Sequence, residues 1–287
     1  MIIPNKKAGD FELPAIGFGT WRVGGVYEPN TSNDEKEIAA IKAALEMGIT
    51  HIDTAELYGA GHAEELIRLA IKAVDRKKLF ITSKVMPQHL RYDGLIASCR
   101  ASLKRLGIKQ LDLYLIHAPN PDIPLKETMK ALDFLVEEGL VFHIGVSNFS
   151  KELIEQAQSH AKHRIVNNQI HYSLSAREFD EEGTLEYCEK HQILVTAYRP
   201  LGLGLFGGVD IGADILKQLS QKYQKTPAQI AINWVINKPN VVALIKASNP
   251  EHLREDLGAL GWRLEIEDEL RLDHEFPQGT MVYGPRR

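Results

Sequence analysis

Four side chains in this 287-residue sequence stand where hydrophobic runs end, and together they could move a proton. Asp53 and Tyr58 follow Ile49-Thr50-His51-Ile52, Lys84 follows Leu79-Phe80-Ile81-Thr82-Ser83, and His117 follows Leu111-Asp112-Leu113-Tyr114-Leu115-Ile116. A tyrosine with its ordinary pKa of about 10 is a poor acid at neutral pH. An ammonium beside it stabilises the phenolate and would pull that value down towards the working range. Lys84 can supply the charge, and Asp53 would keep a buried lysine protonated by pairing with it. Tyr58 would then give its proton to a carbonyl oxygen as negative charge develops there, with His117 orienting or polarising the same oxygen.

Taken singly, each group has an ordinary explanation. An Asp or Lys at a strand end is commonly a cap or a surface group, and Tyr58 alone could anchor a loop. The elements that carry them decide the matter. Apolar runs of β-type composition at 15–19, 49–54, 79–85, 111–117, 141–147, 165–170, 193–198 and 241–246 alternate with segments of helical apolar spacing. Ile38, Ile41 and Leu45 share one helical face, which opens on the capping pattern Ser32-Asn33-Asp34-Glu35 and stops at Gly48. Two further stripes run from Tyr92 to Leu106 and from Leu125 to Val136, ended by Gly107 and Gly139. Thr226-Pro227-Ala228-Gln229 and Asn249-Pro250-Glu251 each put a cap residue before a first-turn proline.

Eight strand-helix units without a linker predict one (β/α)8 TIM barrel over 1–287, with a short extra helix near 265–276 and a tail. The alternative, an open doubly wound sheet, would need a boundary between two halves, and no stretch rich in Pro, Gly or Ser provides one. Gly202-Leu203-Gly204-Leu205-Phe206-Gly207 fits a dinucleotide fingerprint literally. Its context fails, because about twenty residues on, where an acidic ribose partner belongs at a strand end, the chain is helical. The glycines read instead as a mobile flap.

Hydrophobic residues at 44% and charged residues at 25% suit a globular chain with a sizeable core. A formal net charge of −4 argues against nucleic-acid binding, and the basic Arg76-Lys77-Lys78 reads as a solvated turn. Cys99 and Cys188 have no partner at disulfide or metal spacing, so a reducing compartment is the default. No signal-like or membrane-length apolar run is present. The expectation is a cytoplasmic monomer acting on a small molecule. His51 shares strand parity with Asp53, but too few other ligands stand at strand ends for a metal site, and it reads as an interior residue.

A (β/α)8 barrel collects its functional groups at the C-terminal ends of its strands. Those ends deliver, in order, Asp53 with Tyr58, Lys84, His117, Ser147-Asn148, Gln169, Tyr198 and Lys246. Ser147-Asn148 alone would pass for an N-cap of the helix near Lys151.

From about Leu13 to Gly258 the chain resembles the aldo-keto reductases. The resemblance rests on Gly17-Phe18-Gly19-Thr20-Trp21, His51-Ile52-Asp53-Thr54-Ala55-Glu56-Leu57-Tyr58-Gly59, Ile81-Thr82-Ser83-Lys84, Leu113-Tyr114-Leu115-Ile116-His117, Gly145-Val146-Ser147-Asn148-Phe149 and Asn168-Gln169. It implies reversible reduction of an aldehyde or ketone by hydride from a nicotinamide cofactor, with Asp53, Tyr58, Lys84 and His117 as the catalytic tetrad. By position, it implies that Ser147, Asn148 and Gln169 bond the nicotinamide carboxamide and Tyr198 stacks on its ring. Gly19, Thr20, Trp21, Arg199, Pro200 and Leu201 would flank the cofactor, the loop from Leu201 closing over its pyrophosphate. Lys246, Ala247, Ser248 and His252 would face a 2′-phosphate, and Glu255 and Asp256 the adenine. Trp21, Tyr58 and His117 would also line the substrate pocket. The same fold and residues can serve a cofactor-binding, redox-sensing regulatory subunit, which is the alternative implication.

Several positions depart from the family pattern. Ala247 replaces a common serine, His252 an arginine, and Asp256 an asparagine. Lys246 with Ser248 and His252 still favours NADP(H), with NAD(H) possible. Ala118 replaces a frequent tryptophan after His117, which implies a roomier pocket. Arg199 stands where serine is common and would meet cofactor phosphates or an anionic substrate group. Arg68 and His171 stand where glycine and glutamate are usual, and the sequence gives neither a function.

Overall fold

Ten short strands form in the structure, a computed structural model describing residues 2–202 and 213–276. Eight close into a parallel barrel: β3 (Ile16–Gly19), β4 (His51–Asp53), β5 (Phe80–Val85), β6 (Leu111–Ile116), β7 (Val141–Ser147), β8 (Ile165–His171), β9 (Leu194–Tyr198) and β10 (Val241–Ile245). β10 pairs with both β9 and β3, which completes the closure. These are the eight apolar runs read from the sequence. Strands buried on both sides, by the barrel interior and by helices, leave runs of apolar residues rather than strict alternation.

Helices cover the outside: α1 (Asp34–Glu46), α2 (His62–Ile71), α3 (Tyr92–Leu106), α4 (Leu125–Glu137), α5 (Lys151–His160), α6 (Glu178–Glu181), α7 (Thr184–Lys190), α8 (Ala213–Tyr223), α9 (Pro227–Asn237), α10 (Pro250–Leu257) and α11 (Ile266–Glu275). The capping box before α9 forms in full, with Gln229 N–H donating to Thr226 Oγ1 at 3.3 Å and Thr226 N–H to Gln229 Oε1 at 3.0 Å. Asn249 caps α10 by accepting from Glu251 N–H at 3.0 Å. α3 ends at Gly107 in the left-handed conformation, φ 66°, as its glycine implied. The pattern before α1 behaves differently. Ser32 Oγ donates to Asn30 Oδ1, and no side chain caps the helix. Asp34, Glu35 and Glu37 in its first turn supply negative charge to the helix dipole instead. Arg76 is also more engaged than a solvated turn, donating to Leu79 O at 2.8 Å and Gln110 O at 2.9 Å.

One element was not legible in the sequence: a hairpin of β1 (Asn5–Ala8) and β2 (Phe11–Pro14). Its turn passes through Gly9 at φ +65°, a conformation that favours glycine. Ala8, Phe11 and Leu13 pack with Leu113, Val166, Leu194 and Val242 and so cover the N-terminal end of the barrel. Functional groups are thereby confined to the opposite mouth. At the C-terminus α11 is the predicted extra helix, held to α9 by Trp234 Nε1 donating to Asp273 Oδ1 at 3.0 Å. Arg177 donates to the same oxygen at 2.9 Å. The glycine flap beyond Gly202 and the tail beyond Phe276 lie outside the described residues. No helix among the described residues is long and apolar enough to cross a membrane.

Candidate active site

Strand register alone brings the first four groups together. Asp53, the last residue of β4, lies opposite Thr82 of β5, and the period of two then puts Lys84 on the same face one step higher. Lys84 is opposite Leu115 of β6, and His117, two residues on, holds the strand alignment by donating its N–H to Val85 O at 3.0 Å. Tyr58 comes from the loop after β4, where Gly59, Ala60 and Gly61 all have positive φ. That left-handed run folds the chain back, and Gly59 N–H is held by Val26 O at 3.0 Å.

Lys84 is fully buried and Asp53 nearly so. Lys84 Nζ donates to Asp53 Oδ1 at 2.5 Å, to Thr54 O at 2.9 Å and to Tyr58 OH at 3.3 Å. The second Asp53 oxygen accepts from Gln169 Nε2 at 2.7 Å. An ammonium in this environment survives only because its desolvation is offset by a carboxylate and a carbonyl at bonding distance. Burial works against the charged lysine, but Asp53 and Tyr58 outweigh it and hold Lys84 above its usual value. The Tyr58 ring lies 5.0 Å from Trp21 and 5.7 Å from His117, both edge-on.

The balance at Tyr58 differs from the expectation. Burial is the largest influence and raises the phenol above its ordinary value, while the Lys84 charge pulls the other way without overcoming it. Sequence reasoning identified the ammonium but had no measure of how completely the surrounding shell excludes water. Burial, with Lys84 adding to it, drives His117 down to about 3, so its imidazole is neutral at any ordinary pH. Its Nδ1 is buried without a hydrogen-bond partner among the described residues.

Three of the four groups open onto a cleft of about 430 Å³, with Lys84 buried behind them. Asp53, Tyr58 and His117 lie at one part of its wall, and Gly19, Trp21, Ser147, Asn148, Gln169, Tyr198, Arg199, Pro200, Leu201, Lys246 and Asp256 continue it. The walls interlock. Ser147 Oγ donates to Gln169 O at 2.7 Å, Asn148 Nδ2 to Ser147 Oγ at 3.1 Å and to His117 O at 3.2 Å, and Tyr198 OH to Asn148 Oδ1 at 2.9 Å. Asn148 and Arg199 both adopt positive φ, 61° and 54°, which turns the chain at the rims of β7 and β9.

Other positions fall elsewhere. Thr20 is fully buried and outside the cleft wall, its hydroxyl donating to Asp53 O at 2.9 Å, so it braces the end of β4. Ala247, Ser248, His252 and Glu255 also lie off the cleft wall. Lys246 Nζ donates to the Trp21 carbonyl at 2.5 Å across the mouth. Asp256, pushed up to about 6 by burial and by Glu255, with His252 opposing, does reach the cleft. Sequence reading missed Leu57, Leu244 and Ile245, which add apolar wall. Their strand-end or loop positions were visible, but apolar side chains carried no chemical signal. Arg68 lies against Gly107, remote from the cleft, and no function emerges for it. No group of three or more His, Cys, Asp or Glu side chains among the described residues could hold a metal ion.

A family model for the aldo/keto reductase family matches residues 15–274. The chain is 33% identical over 273 residues to methylglyoxal reductase YeaE of Escherichia coli (strain K12), an alignment covering 94% of this chain and 93% of that protein. Among solved structures it is similar to a thermostable aldo-keto reductase crystallised with the inhibitor epalrestat, at 44% identity and a TM-score of 0.92, covering 96% of this chain and 100% of that one. It is similar also to an aldo-keto reductase from Klebsiella pneumoniae in complex with NADPH, at 33% identity and a TM-score of 0.88, with 100% of both chains covered.

Proposed function

The chain belongs to the aldo/keto reductase family, and on that premise we propose that it reduces an aldehyde or ketone to the alcohol with NADPH, Tyr58 giving the proton. The observation that carries this reading is the buried Lys84 ammonium, 2.5 Å from Asp53 and 3.3 Å from the Tyr58 hydroxyl, beside an open cleft. The cleft chemistry fits a nicotinamide dinucleotide: side-chain amides and a hydroxyl on or just past β7 and β8, a flat phenol at the end of β9, and a lysine beyond β10. When bound, the cofactor supplies hydride to the carbonyl carbon.

The protein's own part is the oxygen. A phenol with a raised pKa rests fully protonated, so the donor is loaded before substrate arrives. As its proton leaves, the phenolate forms beside an ammonium that Asp53 keeps charged, and burial strengthens that attraction. His117, neutral, cannot serve as the acid at ordinary pH. Its unpartnered Nδ1 is best left without a hydrogen, which puts the N–H on Nε2 and makes His117 a hydrogen-bond donor to the same oxygen. Ser147, Asn148 and Gln169 orient the carboxamide. The bond from Gln169 Nε2 to Asp53 uses one of its two amide hydrogens and fixes the side chain, leaving its amide oxygen and the second hydrogen for the carboxamide.

At the far end Lys246 is the group suited to a 2′-phosphate, and relatives crystallised with NADPH support the phosphorylated cofactor over NADH. The reductase acting on methylglyoxal among the relatives supports a small carbonyl compound as substrate class. Trp21 gives that substrate an apolar wall, and Ala118 leaves room beside His117. The test is to follow oxidation of NADPH and of NADH with aromatic, aliphatic, keto-steroid, sugar and 2-oxo-aldehyde substrates. Turnover is expected with NADPH and a small aldehyde, and no turnover with any carbonyl would sink the proposal.

A further inference from the structure

Tyr198 and His171 are direct partners across the β8–β9 pair, at the last residues of both strands. Their side chains therefore emerge on the same face, and the rings lie parallel, 5.5 Å between centroids with an interplanar angle of 17°. Tyr198 lines the cleft; His171 does not, and only 8% of it is exposed. The imidazole thus backs the face of the phenol turned away from the cleft. The hydroxyl end of the same ring is tied by donating to Asn148 Oδ1 at 2.9 Å. One face, one edge and the strand attachment of Tyr198 are thus held, and the ring forms part of the cleft wall.

We propose that His171 is a positioning residue for the cofactor: it holds the Tyr198 ring as a rigid plate on which the nicotinamide stacks, without touching the cofactor itself. The inference rests on the reading of the cleft as a nicotinamide site. A flat neutral ring suits this task because two stacked π-systems attract and leave little freedom to tilt. Burial and the neighbouring Arg199 hold His171 near 4, so the ring stays uncharged and does not repel that guanidinium. A carboxylate side chain in the same place would offer no face to stack on. A plate that is already fixed loses less freedom when the cofactor binds, which is how such backing becomes affinity.

The test compares two ligands on the full-length protein. NADP+ carries the nicotinamide; adenosine 2′,5′-bisphosphate carries only the other end. His171→Ala is expected to weaken NADP+ binding roughly threefold to tenfold, in line with loss of one aromatic pair, and to leave adenosine 2′,5′-bisphosphate within about twofold. His171→Phe, which keeps a flat ring, is expected to restore NADP+ affinity to within about twofold. His171→Leu fills space without a stacking face and should behave like the alanine variant, which keeps the test decisive if the alanine variant does not fold. Unchanged NADP+ affinity in both the Ala and Leu variants, parallel weakening of both ligands, or failure of the Phe variant to restore binding would each overturn the inference. Failure of the unmodified protein to bind NADP+ would instead overturn the nicotinamide reading on which the inference stands.

Discussion

The two ends of the cleft are built differently. At the proton-donor end, Asp53 and Lys84 sit on strands, are almost wholly buried, and bond to one another, to Thr54 and to Gln169. At the other end, Lys246 follows the last residue of β10 and is tied to a main-chain carbonyl, while Ala247, Ser248, His252 and Glu255 stand off the wall. Burial makes the first end costly to alter, because removing one member of a buried charge set leaves the others unpaired. The second end, being more open, is held by interactions that water can replace. Substitutions should therefore act on rate at one end and on cofactor affinity at the other.

The sharpest break between the ends should come from Lys84→Met. It removes the ammonium that balances the phenolate and leaves Asp53 without its cation, and kcat should fall on the order of 10²- to 10³-fold with NADPH affinity little changed. Steady-state kinetics beside fluorescence titration of cofactor would decide it; a loss confined to affinity would erase the proposed division.

Acid stability offers a second contrast. Burial depresses His51 to about 4 and His117 to about 3, both near the proton-donor end. The unfolded chain takes up these protons near its ordinary value of about 6.5, whereas the folded protein does not. Stability is therefore full above that value and falls as pH drops from about 6.5 to about 4 for His51 and to about 3 for His117, by on the order of 1–2 kcal/mol for each imidazole at pH 5. Urea unfolding at pH 7.5 and 5 should show this loss. His51→Gln, which can keep the bond to Thr82 Oγ1, should flatten it in part; an identical slope in that variant would refute the assignment.

The smallest effect belongs to the open end. Lys246→Ala should raise KM for NADPH by about tenfold while changing kcat less than about twofold, and should leave KM for NADH nearly unaffected. Equal changes with both cofactors would remove Lys246 from 2′-phosphate recognition.

The contrast also explains what the sequence could convey. Strands carrying Asp53, Lys84 and His117 at or just past their ends were legible because an apolar run stopping at a polar group is a one-dimensional signal of a two-sided burial pattern. Register then turns three such endings into one site. The hairpin of β1 and β2 gave no such signal: neither strand stops at a chemistry-bearing group, and the residues it packs on, Leu113, Val166, Leu194 and Val242, are distant in sequence. His171 was visible only as an unusual residue, since its meaning lies in a ring on the adjacent strand. The direction of the Tyr58 shift was missed for a related reason. A charge partner can be read from neighbouring motifs, but water exclusion depends on the shell assembled from Trp21, His117 and the loop at Gly59, all brought together by folding.

The central claim is that the Tyr58 hydroxyl gives the proton, and Tyr58→Phe removes that hydroxyl while keeping the ring packed between Trp21 and His117. Cofactor titration and NADPH oxidation should be measured on this variant with the best aldehyde found for the unmodified protein. The account predicts cofactor affinity within about twofold and turnover reduced at least 10²-fold. Undiminished turnover would contradict it.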